Sequence, residues 1–174
     1  CTYETCDGSF LHFWEETMKV AVIMGSKSDE KVMMGAVEVL DYFGIEYEKK
    51  VVSAHRTPLH MVDFAKSLVD EGFSVVIAGA GGAAHLPGMV AAITPLPVIG
   101  VPIKTSTMKG IDSLYSIVQM PKGIPVASMA INGAANAGYF AVSILALQDK
   151  ALATSYKEFK ENLAQDTWRQ QFED

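Results

Sequence analysis

Val20-Ala21-Val22-Ile23-Met24 is a short apolar run that stops at Gly25, the pattern of a strand covered on both faces. After the polar turn Gly25-Ser26-Lys27-Ser28-Asp29, apolar residues recur at Val32, Met33, Ala36, Val37, Leu40 and Phe43, a helical period closed by Gly44. Residues 45–52 read as a second strand, more polar and so nearer a sheet edge. Thr57 then supplies an N-cap and Pro58 a first-turn proline for a helix through Leu59, Val62, Ala65, Leu68 and Val69 that ends at Gly72. Residues 74–78, 97–101 and 126–130 are three further strands, and residues 87–93, 110–119 and 133–147 the helices between and after them. Strict alternation of strand and helix predicts a parallel sheet with helices on both faces. The expected fold is a flavodoxin-like three-layer α/β sandwich with five strands in the order 2-1-3-4-5, which sets the loops after strands one, two and three side by side.

The C-terminal segment extends this pattern. Over residues 149–174, Leu152, Tyr156, Phe159 and Leu163 share one helical face while Lys157, Glu158, Lys160 and Glu161 lie elsewhere. The helix before it is apolar nearly all round, more apolar surface than one small subunit can bury. A homo-oligomer is therefore expected, the alternative being a tail folded back onto its own sheet. The uncharged stretch from Gly123 to Gln148 is interrupted by Pro125, Asn132, Gly133 and Asn136, which leaves a continuous run about half as long as a membrane span. A buried helix is expected there, with no membrane partner.

With 174 residues, 49% of them apolar, the chain suits one domain and excludes disorder or a collagen-like repeat. The net charge of −6 excludes a polybasic nucleic-acid binder and requires any anionic ligand to be held by local donors. The two cysteines, Cys1 and Cys6, leave the rest of the chain without any, which excludes a disulfide framework or a cysteine-based metal site there. Residues 1–17 carry Glu4, Asp7, Glu15 and Glu16 and no Lys or Arg, just before Met18 and the first strand. They read as a leader or appended segment outside the fold, with residues 18–174 as a single domain including the C-terminal helix. The segment lacks a basic start and a long apolar run, so it does not read as a secretory signal, and a cytoplasmic protein is expected.

Three polar loops carry candidate chemistry. Gly25-Ser26-Lys27-Ser28-Asp29 places two hydroxyls and a carboxylate at a helix start, where free N–H groups favour phosphate and Asp29 suits ribose hydroxyls; an ordinary cap formed by Ser28 or Asp29 is the alternative. Ser53-Ala54-His55-Arg56-Thr57-Pro58 puts an imidazole beside a guanidinium suited to a dianionic phosphate. In Ala78-Gly79-Ala80-Gly81-Gly82-Ala83-Ala84-His85-Leu86-Pro87-Gly88, bare backbone can approach a planar ligand or a small carboxylate, or serve tight helix packing. Gly79, Gly81 and Ala84 match a dinucleotide pattern, but it follows the third strand, and no Asp or Glu occurs between Glu71 and Asp112 to hold a ribose.

These three motifs, together with Asp112-Ser113-Leu114-Tyr115-Ser116-Ile117-Val118-Gln119-Met120-Pro121, closely resemble the class I N5-carboxyaminoimidazole ribonucleotide mutase family, the catalytic subunit type of phosphoribosylaminoimidazole carboxylase. The resemblance runs from Met18 to about Leu147. It implies a flavodoxin-like subunit assembled into an octamer, with the C-terminal helix reaching onto a neighbour. It implies transfer of a carboxylate from the exocyclic nitrogen of an aminoimidazole ribonucleotide to ring C4, with no metal and no cofactor. By resemblance, Ser26, Ser53 and Arg56 hold the phosphate, Asp29 the ribose, and Ser28, Ala80, Gly81 and Leu86 surround the base and carboxylate. His55 is the implied proton carrier, and His85 lines the same pocket. Two other readings stay open on the residues: a carboxylase that takes free CO2 with aminoimidazole ribonucleotide, and a non-catalytic nucleotide-binding module.

Overall fold

In the computed structural model, residues 18–170 are described; the expected leader over residues 1–17 and the last four residues of the expected C-terminal helix lie outside them. β1 (Lys19–Met24) alternates its side chains between two cores, as a strand with a helical layer on each face must. Val20, Val22 and Met24 meet Met33, Ala36 and Leu40 of α1 (Glu30–Tyr42) and Ala137 and Ala141 of α5 (Ala134–Leu145). Ala21 and Ile23 face Met61 and Phe64 of α2 (Pro58–Ser67), Val90 of α3 (Leu86–Ala91) and Ile117 of α4 (Ile111–Val118).

The sheet is parallel throughout, in the order β2 (Glu46–Val51), β1, β3 (Phe73–Gly81), β4 (Val98–Ile103), β5 (Ala127–Ser128), as the alternation predicts. β2 is the polar edge strand, and Lys49 on it reaches Glu30 of α1 at 2.6 Å. Charged side chains on an edge discourage pairing with another chain. Gly44 closes α1 with a left-handed backbone (φ +66°), as its place after the last apolar residue predicts.

Three of the differences from expectation have a physical reason on view. β3 runs three residues past Ala78, because β4 pairs with its glycines through Gly79↔Val101 and Gly81↔Ile103. Glycine-rich sequence reads as a loop only until a neighbouring strand satisfies its backbone. β5 shrinks to Ala127–Ser128, paired to Ile99 and Gly100 alone; it is an edge strand following Pro125, which has no N–H to donate. Thr57 precedes Pro58 as expected, yet its hydroxyl donates to Ser53 O at 3.1 Å and makes no cap.

α6 (Lys150–Gln170) divides its predicted apolar face. Leu152 is buried, and Tyr156 and Phe159 pack against Phe43, just past α1, and Tyr139 of α5, with the Tyr139 and Phe159 rings stacked at 4.8 Å. The tail thus folds back, onto the α1–α5 layer rather than onto the sheet. From Leu163 onward its apolar side chains are exposed. Among the described residues, no helix is long and apolar enough to cross a membrane.

Candidate functional site

The parallel sheet carries its strand-following loops to one end, and there a cavity of about 660 Å³ opens. The loop after β1 contributes Gly25, Ser26, Ser28 and Asp29; the loop after β2 contributes Ser53, Ala54, His55 and Arg56; Ala80, Gly81, Ala83, His85 and Leu86 come from the end of β3 and the turn into α3. All of the sequence-expected site residues therefore line one cavity.

The first loop is built as a capping box. Ser26 N–H donates to Asp29 Oδ2 at 3.1 Å, while Ser26 Oγ accepts from Ser28 N–H at 3.4 Å and from Ser28 Oγ at 3.0 Å. Ser26, rather than Ser28 or Asp29, is the capping residue, at the head of a short 3-10 turn (Lys27–Asp29) that runs into α1. Gly25 N–H donates to Gly79 O at 3.0 Å and fixes this loop to β3. Asp29 is only 8% exposed. Burial raises its carboxyl above the ordinary value, opposed by the Ser26 N–H, the Ser28 hydroxyl and the positive charge of Arg56.

Arg56 ties the first two loops together. Its Nη2 donates to Gly25 O at 2.7 Å, and its Nε donates to Ser53 Oγ at 3.1 Å. A guanidinium carries five N–H donors. Two are used to hold it, and the others are left for an anion.

The third loop approaches the second through histidine. His55 Nε2 and His85 Nδ1 are 2.9 Å apart, with the rings edge to face at 4.9 Å between centroids. That contact holds one proton between the two nitrogens, since two protons would repel and none would leave no hydrogen bond. The arrangement thus combines a fixed cation, a buried carboxylate and a proton-sharing imidazole pair against small residues.

Two features lie beyond what the motifs indicated. Lys104, Thr105 and Ser106, after β4, also line the cavity. They carry no glycine run or histidine, and the signal that would have found them is their place at the carboxyl end of the next strand. Gly82 N–H, grouped with the bare backbone meant for a carboxylate, instead donates to Ser113 Oγ at 2.9 Å, which removes it from the available donors. Among the described residues no group of three or more His, Cys, Asp or Glu side chains is placed to hold a metal ion.

A family model described as AIR carboxylase matches residues 19–166. The chain belongs to the AIR carboxylase family. Among members of this family, the N5-carboxyaminoimidazole ribonucleotide mutase of Thermotoga maritima is 60% identical over 145 residues, which span 83% of this chain and 85% of that protein. The protein of the same name from Saccharolobus solfataricus is 59% identical over 148 residues, 85% of this chain and 94% of its own. The crystal structure of Treponema denticola PurE superposes with a TM-score of 0.80 at 31% identity, covering 90% of this chain and 99% of that one. The AIR carboxylase family match spans all four polar motifs, and thus every loop described above.

Proposed function

We propose that this protein is an N5-carboxyaminoimidazole ribonucleotide mutase, an enzyme of purine biosynthesis that moves a carboxylate from the exocyclic nitrogen to C4 of the imidazole. The observation that carries the reading is the meeting, in one cavity, of the Arg56–Ser53–Ser26 anion grip with the His55–His85 pair. The match to relatives bearing that name supports it.

In this reading Ser26, Ser53 and Arg56 receive the phosphate, and Asp29 accepts from the ribose hydroxyls. Ser28, Ala80, Gly81 and Leu86 enclose the base and its carboxylate. The N–CO2 bond breaks, its electron pair returns to nitrogen, and His55 supplies a proton there. C4 then attacks the retained CO2, and the C4 proton returns to His55, so the base ends as it began. Nothing is oxidised or reduced, and the reaction requires no organic cofactor.

Confinement is the main demand. CO2 held beside its nucleophile has an effective concentration of about 10⁵ M or more, equivalent to roughly 7 kcal/mol of barrier. His85, which shares a proton with His55, keeps the imidazole oriented toward that space.

A homo-oligomer, an octamer by resemblance, is part of the proposal. It is supported by an apolar groove of about 500 Å³ between α5 and α6, bordered by Leu147, Ala153 and Tyr156. Residues 18–174 are proposed as the catalytic unit, working in the cytoplasm.

The test is direct. Purified protein given N5-carboxyaminoimidazole ribonucleotide at low bicarbonate is expected to form the C4-carboxylated product. Product formed only from aminoimidazole ribonucleotide with added CO2 would replace the mutase by a carboxylase. Binding without any product would reduce the protein to a nucleotide-binding module.

A further inference from the structure

The stretch beginning at Asp112 has no substrate-facing part in that reaction, yet its side chains reach two of the loops that line the cavity. Ser113, in the first turn of α4, is wholly buried. Its hydroxyl donates to Ile103 O at 2.6 Å, at the end of β4, and accepts from Gly82 N–H at 2.9 Å. Both capacities of the oxygen that matter here are thus filled by backbone.

One turn further, Ser116 Oγ donates to Asp112 O at 2.8 Å with Gly82 O at 3.3 Å. Gly82 has φ +70°, a left-handed backbone that glycine tolerates, and its two peptide groups are the ones these serines meet. The chain beyond is tightly turned, with Ala84 N–H on Gly82 O at 2.9 Å and His85 N–H on Ala83 O at 2.8 Å. The orientation of Gly82 therefore sets where His85 begins. On the other loop, Thr105 Oγ1 donates to the Asp112 carboxylate, 3.0 Å from each oxygen.

We infer that Ser113, with Ser116 beside it, is a positioning residue that locks the Gly82 turn to the end of β4 and so holds His85 and the Gly81 wall in place around the one-carbon fragment. Ser113 itself does not line the cavity. The inference rests on the mutase reading.

The experiment uses substrate labelled with 13C in its N-carboxylate, in unlabelled bicarbonate, with Ser113→Ala, Ser113→Cys and Ser116→Ala. Wild-type protein is expected to keep the label in its product. Ser113→Ala loosens the wall: kcat falls roughly tenfold to a hundredfold, the range a displacement near 1 Å produces, and label is lost to the bicarbonate pool. Its affinity for aminoimidazole ribonucleotide stays within about twofold, because the phosphate loops are untouched. Ser113→Cys, close in size but a weak hydrogen-bonding partner, behaves like the alanine variant.

Wild-type turnover and label retention in both Ser113 variants would overturn the inference, as would a loss of thermal stability with neither changed. Should neither Ser113 variant fold, the half-buried Ser116→Ala decides: a smaller label loss supports the inference, and full retention overturns it. A wild-type protein that forms no C4-carboxylated product overturns the mutase reading and this inference with it, whereas active wild type with unaltered variants overturns the inference alone.

Discussion

The 2.9 Å contact between His55 and His85 divides the work of two identical side chains. One ring nitrogen must donate and the other accept, so His85 engages one His55 nitrogen, and in the proposed mechanism the other carries the proton. Asparagine at position 55 still hydrogen-bonds but takes up no proton near neutral pH. His55→Asn is expected to bind aminoimidazole ribonucleotide as the wild type does while kcat falls by about 10² or more; near-normal turnover would remove His55 from the proton transfer. Asp29 carries a different kind of consequence. Its carboxyl is raised by burial, so the folded chain binds that proton more tightly than the unfolded chain does. The resulting stability is fully present below the unfolded-state value and is lost as pH rises through the folded-state value. An asparagine in its place would retain an acceptor for Ser26 N–H without the buried charge. The melting temperature of Asp29→Asn relative to wild type is therefore expected to rise from about pH 3 to about pH 7, read by thermal unfolding across that range. A relative melting temperature that falls with pH would mean that Ser26, Ser28 and Arg56 outweigh burial.

At the scale of elements, the α1–α5 contact supports the loop that opens the site. A Cβ on Gly138 would lie 2.8 Å from Val39 Cβ and 3.0 Å from Ala36 O, so these helices pack as closely as they do because that position has no side chain. Gly138→Val has to force α1 and α5 apart. It should cost about 1–3 kcal/mol, and calorimetry should show a melting temperature lowered by roughly 2–4 °C per kcal/mol; an unchanged midpoint would mean that the layer yields freely. β1, α1 and β2 announce themselves in the sequence because period and stop signals agree there, and the loops that follow β1, β2 and β3 are rich in glycine, serine and histidine. Gly79 to Gly81 misled, since their strand character is supplied by β4 and not by their own composition. Lys104 to Ser106 stayed hidden because their role comes only from standing beside β3 at the open end of the sheet. The Asp112-Ser113 stretch was recognisable as a motif, but its contacts with Gly82 and Ile103 exist only once α4 lies against both strands.

For the whole molecule, the distribution of apolar surface separates folding from assembly. The two faces of the sheet are covered within the chain, and the aromatic cluster around Phe43 covers the first half of α6. Part of the apolar surface left exposed lies past the end of α5 and along the rest of α6, where Leu147 is 84% exposed and Leu163 is exposed as well. Single exposed apolar residues are ordinary, but Leu147 borders a groove that Ala146, Ala153 and Tyr156 also line. A second copy of the chain is the occupant that suits the proposed homo-oligomer, since closed symmetric assembly buries like surfaces on every subunit. Leu147→Glu discriminates. In a lone subunit this side chain faces water, so the change should stay within about 0.5 kcal/mol of neutral. Within an interface it would bury a carboxylate without a partner, and buried charge of that kind is strongly disfavoured. Sedimentation at micromolar concentration is therefore expected to give a large assembly for the wild type and smaller species for Leu147→Glu, with the unfolding of each subunit little changed. A wild-type monomer would refute assembly outright, whereas an undiminished assembly in the variant would move the contact away from the α5–α6 groove.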